Sequence, residues 1–351
     1  MAPKSFLLAC LLAFTVQIFF SLSVSSLASL LSISKESSSM KGLTKLGEGC
    51  VNHPEDVSVV VSKGALYTAT RDGWVKYFIL HNETLVNWKH IDSQSLLGLT
   101  TTKDGGVILC DNEKGLLKVT EEGVEAIVPH AGFTNDVIAA SDGTLYFTVA
   151  STKYTPTDFY KDMAEGKPYG QLRKYDPKLK ETTVLHEGFY FANGIALSKN
   201  EDFVVVCESW KRYWLKGDRA GILDAFIENL PGGPDNINLA PDGSFWIGLI
   251  KMNQTGVRAI QKCREKWELL DAYPGLISLL LPMGSDAGAR VVKVDGNDGK
   301  IIRDFNDPDA TYISFVTSAA EFDGNLYLAS LQSNFIGILP LDGPEPQLAT
   351  I

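Results

Sequence analysis

Apolar residues in this chain come in short alternating or continuous bursts, and the bursts recur. Six times a turn leads into a β-rich run: KGALYTAT from Lys63, DGGVILCDN from Asp104, DGTLYFTVAS from Asp142, NEDFVVVCES from Asn200, DGSFWIGLI from Asp242 and DGNLYLASL from Asp323. Asp-Gly and Asn-rich turns ahead of such runs are hairpin signals. The starts lie about 40 residues apart, except before Asn200 and Asp323. There the chain adds YTPTDFYKDMAEGKPYG and the region from Gln261 to Ile302, which read as insertions over one face. Further short strands, WVKYFIL, LLKVT, QLRKYD and RVVKVD, follow most of the runs, while IQKCREKWELL is the main helical pattern. Four short strands per ~40–50 residues, repeated six times, predict an all-β, six-bladed β-propeller. A two-sheet sandwich has no need of six copies of one phase.

Ahead of the repeats, Lys4 precedes an apolar stretch that runs, with small polar interruptions, to about Ile33. A basic start, an apolar middle and small residues around Ser26 to Ser29 describe a secretory signal, cleaved after about residue 28. If retained, a stretch approaching ~20 apolar residues would anchor the chain in a membrane. Residues 29–45 then read as a linker and 46–351 as one propeller, since no Pro/Gly/Ser-rich segment divides them. Two N-x-T sequons, at Asn82 and Asn253, fit passage through the secretory route, with the vacuole, the endoplasmic reticulum lumen or the exterior as destinations. The formal net charge of −10 excludes a nucleic-acid partner, and a small-molecule substrate is expected. Cys50, Cys110, Cys207 and Cys263 form no C-x-x-C pair, which argues against a thiolate zinc site. Cys110 and Cys207 fall in apolar runs and read as buried thiols, while Cys50 and Cys263 are candidates for a disulfide.

The first strand of a propeller blade lines the central channel, and here it should stand about seven to nine residues before each turn. The six equivalent positions read Glu55-Asp56-Val57, Leu97-Gly98-Leu99, Asn135-Asp136-Val137, Asn193-Gly194-Ile195, Asp235-Asn236-Ile237 and Val316-Thr317-Ser318. One Asn or Asp at a strand end bonds its own backbone. Glu, Asn or Asp in four blades at one phase is a different matter, because carboxylates converging on an axis repel one another and lose hydration. A hard divalent cation removes that problem, and mixed carboxylate and amide oxygens without His or Cys suit Ca²⁺ rather than zinc. Glu55, Asn135, Asn193, Asp235 and Asn236 would supply five oxygens. Asp56 and Asp136, with the Leu99 carbonyl nearby, are candidates for a second, structural calcium deeper in the channel.

HPEDV at 53–57, TNDVIAASDG at 134–143, FANGIALSKNEDFVVVCES at 191–209 and PDNINLAPDGSFWIGL at 234–249 resemble the strictosidine-synthase-like proteins of plants. They are also similar to the paraoxonases and, more distantly, to the calcium-dependent gluconolactonases. The resemblance implies a catalytic calcium on Glu55, Asn135, Asn193, Asp235 and Asn236, and a structural one on Asp56 and Asp136. Two departures matter. The paraoxonase histidine pair falls nearest Leu97 and Asn112, and the condensing glutamate of strictosidine synthase falls on Thr317. A threonine cannot act as the carboxylate base of an amine condensation.

The expected activity is therefore metal-dependent hydrolysis of an ester, lactone or organophosphate-like molecule, with Asp235 or Glu55 activating water and His53 as another candidate base. Two alternatives stand beside it. One is an alkaloid-type condensing enzyme with Glu208, Asp111 or Glu321 as the acid; the other is a non-catalytic lumenal binding protein. The leader and sequons predict a mature protein that lacks residues 1–25 and carries glycans on Asn82 and Asn253. Peptide mass spectrometry checks this, and an intact leader with both asparagines bare contradicts it.

Overall fold

The repeats fold as antiparallel sheets, each forming one blade, with inner strands that touch those of both flanking blades. Contact between the sixth inner strand and the first closes the ring. The computed structural model describes residues 38–208, 211–227, 230–250 and 288–341. The leader, most of the linker, Asn253, Cys263 and the IQKCREKWELL pattern lie outside the described residues. Among those described, no helix is long and apolar enough to cross a membrane.

The described strands of the six blades lie in 57–90, 96–128, 133–189, 195–206 with 211–225, 233–250 with 289–307, and 316–340. In the first five, strands run outward from the channel in sequence order. The sixth takes its outermost strand from the other end of the chain: Thr44–Leu46 pairs antiparallel with Ile336–Pro340. Ser38–Ser39 adds in parallel to the outer strand of blade 5. Residues 38–46, expected as part of a linker, thus clasp the ring. A three-residue edge strand, TKL, carries too little pattern to be recognised alone.

The hydrophobic core consists of six seams, one between each pair of adjacent blades. Inward and outward positions of one sheet therefore serve two different seams, which explains why the second strands read as continuous apolar runs. Phe147 on blade 3 and Trp246 on blade 5 are fully buried. The Asp-Gly turns hold their glycines at φ of +88° (Gly105), +92° (Gly143), +93° (Gly243) and +70° (Gly324), a region that favours glycine.

Two features position the channel residues. First, the inner strands of blades 2, 3, 5 and 6 lose regular pairing at the same place, skipping Leu97-Gly98, Asn135-Asp136, Asp235-Asn236 and Thr317. Such bulges turn side chains out of the pleat toward the axis. Second, the insertion of blade 3 leaves from Ser151, which pairs with Phe133 at the start of the inner strand. It carries a short helix, Phe159–Glu165, on the end of the ring where the inner strands begin. Asn82 is exposed in a turn at the opposite end.

Candidate metal centre

Glu55, Asp56, Asn135, Asp136, Asn193, Asp235 and Asn236 are all buried at the mouth of the channel. Asn236 Nδ2 donates to Glu55 Oε1 at 2.7 Å, which joins blade 5 to blade 1 across the ring. The Asn193 main chain is tied to blade 3, its carbonyl accepting from Thr148 Oγ1 at 2.7 Å. Gly194 N donates to Asp235 O at 3.1 Å. A Cβ on Gly194 would stand 2.5 Å from the Asn236 Cα, so glycine permits blades 4 and 5 to approach this closely.

The hydrogen-bond ledger of this ring is uneven. Buried side-chain atoms without a partner include Glu55 Oε2, Asn135 Oδ1, Asn193 Oδ1 and Asn236 Oδ1. All four are acceptor oxygens, contributed by four blades. Buried polar groups are almost always satisfied, and four acceptors on one ring without a protein partner are a set that one shared cation can satisfy. A hard cation is such a partner, and the donor set fits Ca²⁺. Buried Cys110 and Cys207 thiols have their pKa pushed well up, first by burial and then by the nearby carboxylates, which keeps them neutral and unsuited to metal. Among the described residues no group of three or more His, Cys, Asp and Glu side chains is disposed to hold a metal. A cation here would rest on two carboxylates, Glu55 and Asp235, and three amide oxygens.

Asp56 and Asp136 behave differently. Asp56 Oδ1 accepts from Val57 N at 2.8 Å and Ser318 Oγ at 2.6 Å, and Oδ2 accepts from Leu99 N at 3.0 Å. Asp136 Oδ1 accepts from Val137 N at 2.7 Å and Oδ2 from Ile195 N at 2.8 Å. Each carboxylate therefore clasps its own strand to the next blade. Leu99 meets Asp56 through its main-chain amide.

Of the other candidates, Thr317 is fully buried, and its hydroxyl donates to the Glu55 main-chain oxygen at 2.5 Å, locking blade 6 to blade 1. His53 is exposed on the rim with Nδ1 2.8 Å from Leu331 O. Glu321 lies at the far end of its strand, where Oε2 accepts from Trp246 Nε1 at 2.6 Å and Lys293 Nζ at 2.9 Å. Asp111 Oδ1 caps the following turn through the Glu113 and Lys114 amides, leaving Oδ2 unpartnered. Glu208 follows the second strand of blade 4 at the mouth, and burial raises its pKa. Arg71, which the sequence reading passed over, lies in the turn after the second strand of blade 1, Ala65–Ala69, at the mouth. Reading the second strands by phase, as was done for the first, would have picked it out.

Electrostatics at the mouth follow from burial. Desolvation pushes the Glu55 carboxyl well up, and the charges of Asp235 and Asp56 add to the effect. Burial likewise raises Asp56 and Asp136. Asp235 is pushed up to about 7, mainly by burial, with the Asn193 amide and the Arg71 guanidinium opposing the rise.

Comparison with known proteins adds a family to this geometry. The strictosidine synthase profile matches residues 135–218, and the strictosidine synthase-like N-terminal profile matches residues 35–78. The protein strictosidine synthase-like 4 of Arabidopsis thaliana is 33% identical over 324 residues, covering 86% of this chain and 83% of its own. This chain belongs to the strictosidine-synthase-like family. An adipocyte plasma membrane-associated protein of Rattus norvegicus is 31% identical, covering 85% of each chain. Among solved structures, a gluconolactonase of Xanthomonas campestris superposes with a TM-score of 0.57 at 14% identity, covering 85% of this chain and 89% of its own. Regucalcin of Agrobacterium tumefaciens, described as a calcium-binding protein, gives 0.56 at 12%, covering 84% and 92%. At these identities the likeness to the solved structures is one of fold.

The raised carboxyls give this strictosidine-synthase-like protein a pH signature. Groups whose folded pKa lies above the unfolded value stabilise the fold at low pH and lose that contribution as pH rises through the folded value. For Asp235 the window runs from about 4 to about 7. In chelator the melting temperature should fall between pH 5 and pH 8, and Asp235→Asn should flatten the slope. A wild-type curve that is level or rising over that range contradicts the burial argument.

Proposed function

We propose that this protein is a calcium-dependent hydrolase of a small ester or lactone, of the kind that includes organophosphate-like substrates, acting in the secretory pathway. The observation that carries the proposal is a set of buried acceptor oxygens without partners, Glu55 Oε2 and the Oδ1 atoms of Asn135, Asn193 and Asn236, on residues that ring the channel mouth with Asp235. The fold neighbours that bear the names gluconolactonase and calcium-binding regucalcin support it. So does the leader for the location.

Glu55, Asn135, Asn193, Asp235 and Asn236 would hold the ion. Bound there, calcium would supply Lewis-acid polarisation of the carbonyl and charge for the developing oxyanion. Asn236 occupies Glu55 Oε1 and leaves Oε2 without a partner. Asp235 is the chain's base: it takes a proton from the attacking water at a carboxylate oxygen. The water oxygen bonds to the carbonyl carbon, the ester C–O bond breaks, and the alkoxide leaves with that proton. Asp56 and Asp136 hold the blades in register beneath the site. A second ion would have to share oxygens already used by main-chain amides. Thr317, with its hydroxyl committed to Glu55 O, offers no carboxylate for condensation.

Binding to the native state alone stabilises by about 2.7 kcal/mol at a hundredfold excess over Kd. Chelator should therefore lower the melting temperature and Ca²⁺ restore it. Phenyl-ester or lactone hydrolysis should be lost with the metal, and tryptamine with secologanin should give no strictosidine. Glu55→Gln and Asp235→Asn should weaken both effects, whereas Glu122→Gln, exposed on the opposite face, should not. Identical melting curves in chelator and in millimolar Ca²⁺, with no metal by elemental analysis, contradict the proposal.

A further inference from the structure

We infer that Arg71 and Asn112 form an anion subsite on the rim of the channel, so that the substrate carries a carboxylate beside its scissile ester; this rests on the calcium reading above. The turn that bears Arg71 is rigid. Thr70 N donates to Trp74 O at 2.9 Å, Gly73 N to Thr70 O at 3.0 Å, and Arg71 N to Asn52 O at 3.0 Å, three residues before Glu55. Among the described residues the guanidinium makes one hydrogen bond, Nη1 to Gln94 O at 3.2 Å. Its other N–H groups remain available.

Asn112 stands on the far side of the same Gln94-Ser95 segment, its main-chain N donating to Ser95 O at 3.3 Å. It follows the second strand of blade 2, Val107–Asp111, and Arg71 stands two residues beyond that of blade 1, Ala65–Ala69. Both side-chain atoms, Oδ1 and Nδ2, are buried without a partner. A guanidinium fork and a free amide donor at one level of the rim match a planar carboxylate.

The charges that favour the Arg71 guanidinium are those of Glu55 and Asp235, against the effect of its burial. Neither forms an ion pair with it among the described residues. Bound calcium would engage both carboxylates and leave the positive charge of Arg71 to the anionic end of the substrate.

The test uses calcium-loaded full-length protein and two neutral-backbone probes that differ by one charge: monomethyl glutarate and dimethyl glutarate. Affinities are read from the shift in melting temperature with ligand concentration. The wild type should prefer the monoester, and Arg71→Gln should weaken the monoester about tenfold or more while leaving the diester within about twofold. Arg71→Lys should recover part of the loss, and Asn112→Ala should weaken the monoester less than Arg71→Gln. Calcium titration separates the failures. Arg71→Gln should bind Ca²⁺ at least as tightly as wild type, because a positive charge beside the ion is gone. Normal calcium binding with equal monoester affinity in wild type and variant overturns the subsite alone. Loss of calcium binding in the variant shows Arg71 to be structural and also overturns it. No calcium binding by the wild type overturns the calcium reading and the subsite with it.

Discussion

Four acidic side chains, Glu55, Asp56, Asp136 and Asp235, are buried together where the inner strands of a propeller converge, and the fold depends on how their charge is managed. Burial alone favours the protonated form of each, and their mutual repulsion adds to it. The structure treats them as two pairs. Asp56 and Asp136 receive main-chain amides from their own strand and from the next blade, so their negative charge becomes inter-blade glue. Glu55 and Asp235 receive side-chain amides instead, from Asn236 and Asn193, whose Oδ1 atoms are left without partners. Stability and chemistry thus divide between adjacent residues of one motif, Glu55 against Asp56 and Asn135 against Asp136.

The same division accounts for the strand irregularities. A regular inner strand would alternate its side chains between two seams and place none on the axis. Skipping two residues at the start of the strand in blades 3 and 5 frees a pair that faces the channel, at the cost of ladder hydrogen bonds. In blade 3 the freed Asp136 N donates to Thr148 Oγ1 at 3.1 Å, while Thr148 Oγ1 to Asn193 O and Thr317 Oγ1 to Glu55 O tie neighbouring blades together at the same level. Thr317 therefore supports the ring at the position where a condensing relative carries its acid.

Much of this was legible in the sequence because a propeller repeats. The phase of the Asp-Gly turns located the inner strands, and counting back from them brought Glu55, Asn135, Asn193 and Asp235 to one ring. What stayed hidden depends on distances between blades, which no single repeat encodes. The partners of Asp56 and Asp136 are amides of Leu99 and Ile195, in other blades. The closing strand Thr44–Leu46 is too short and polar to stand out. Glu321 looked available until the structure set it against Lys293 and Trp246 at the far end of its strand. Arg71 was overlooked because the phase argument was applied to first strands and not to second ones.

The central claim is that the orphaned oxygens converge on a cation, and calorimetric titration of chelator-treated protein with Ca²⁺ near pH 7 tests it most directly. Carboxyls raised by burial must ionise to accept the ion, so binding should release protons. The account predicts one Ca²⁺ per chain, a heat that varies with the ionisation enthalpy of the buffer, and weaker binding in Glu55→Gln. Absence of binding, or binding of equal strength in Glu55→Gln, would contradict it.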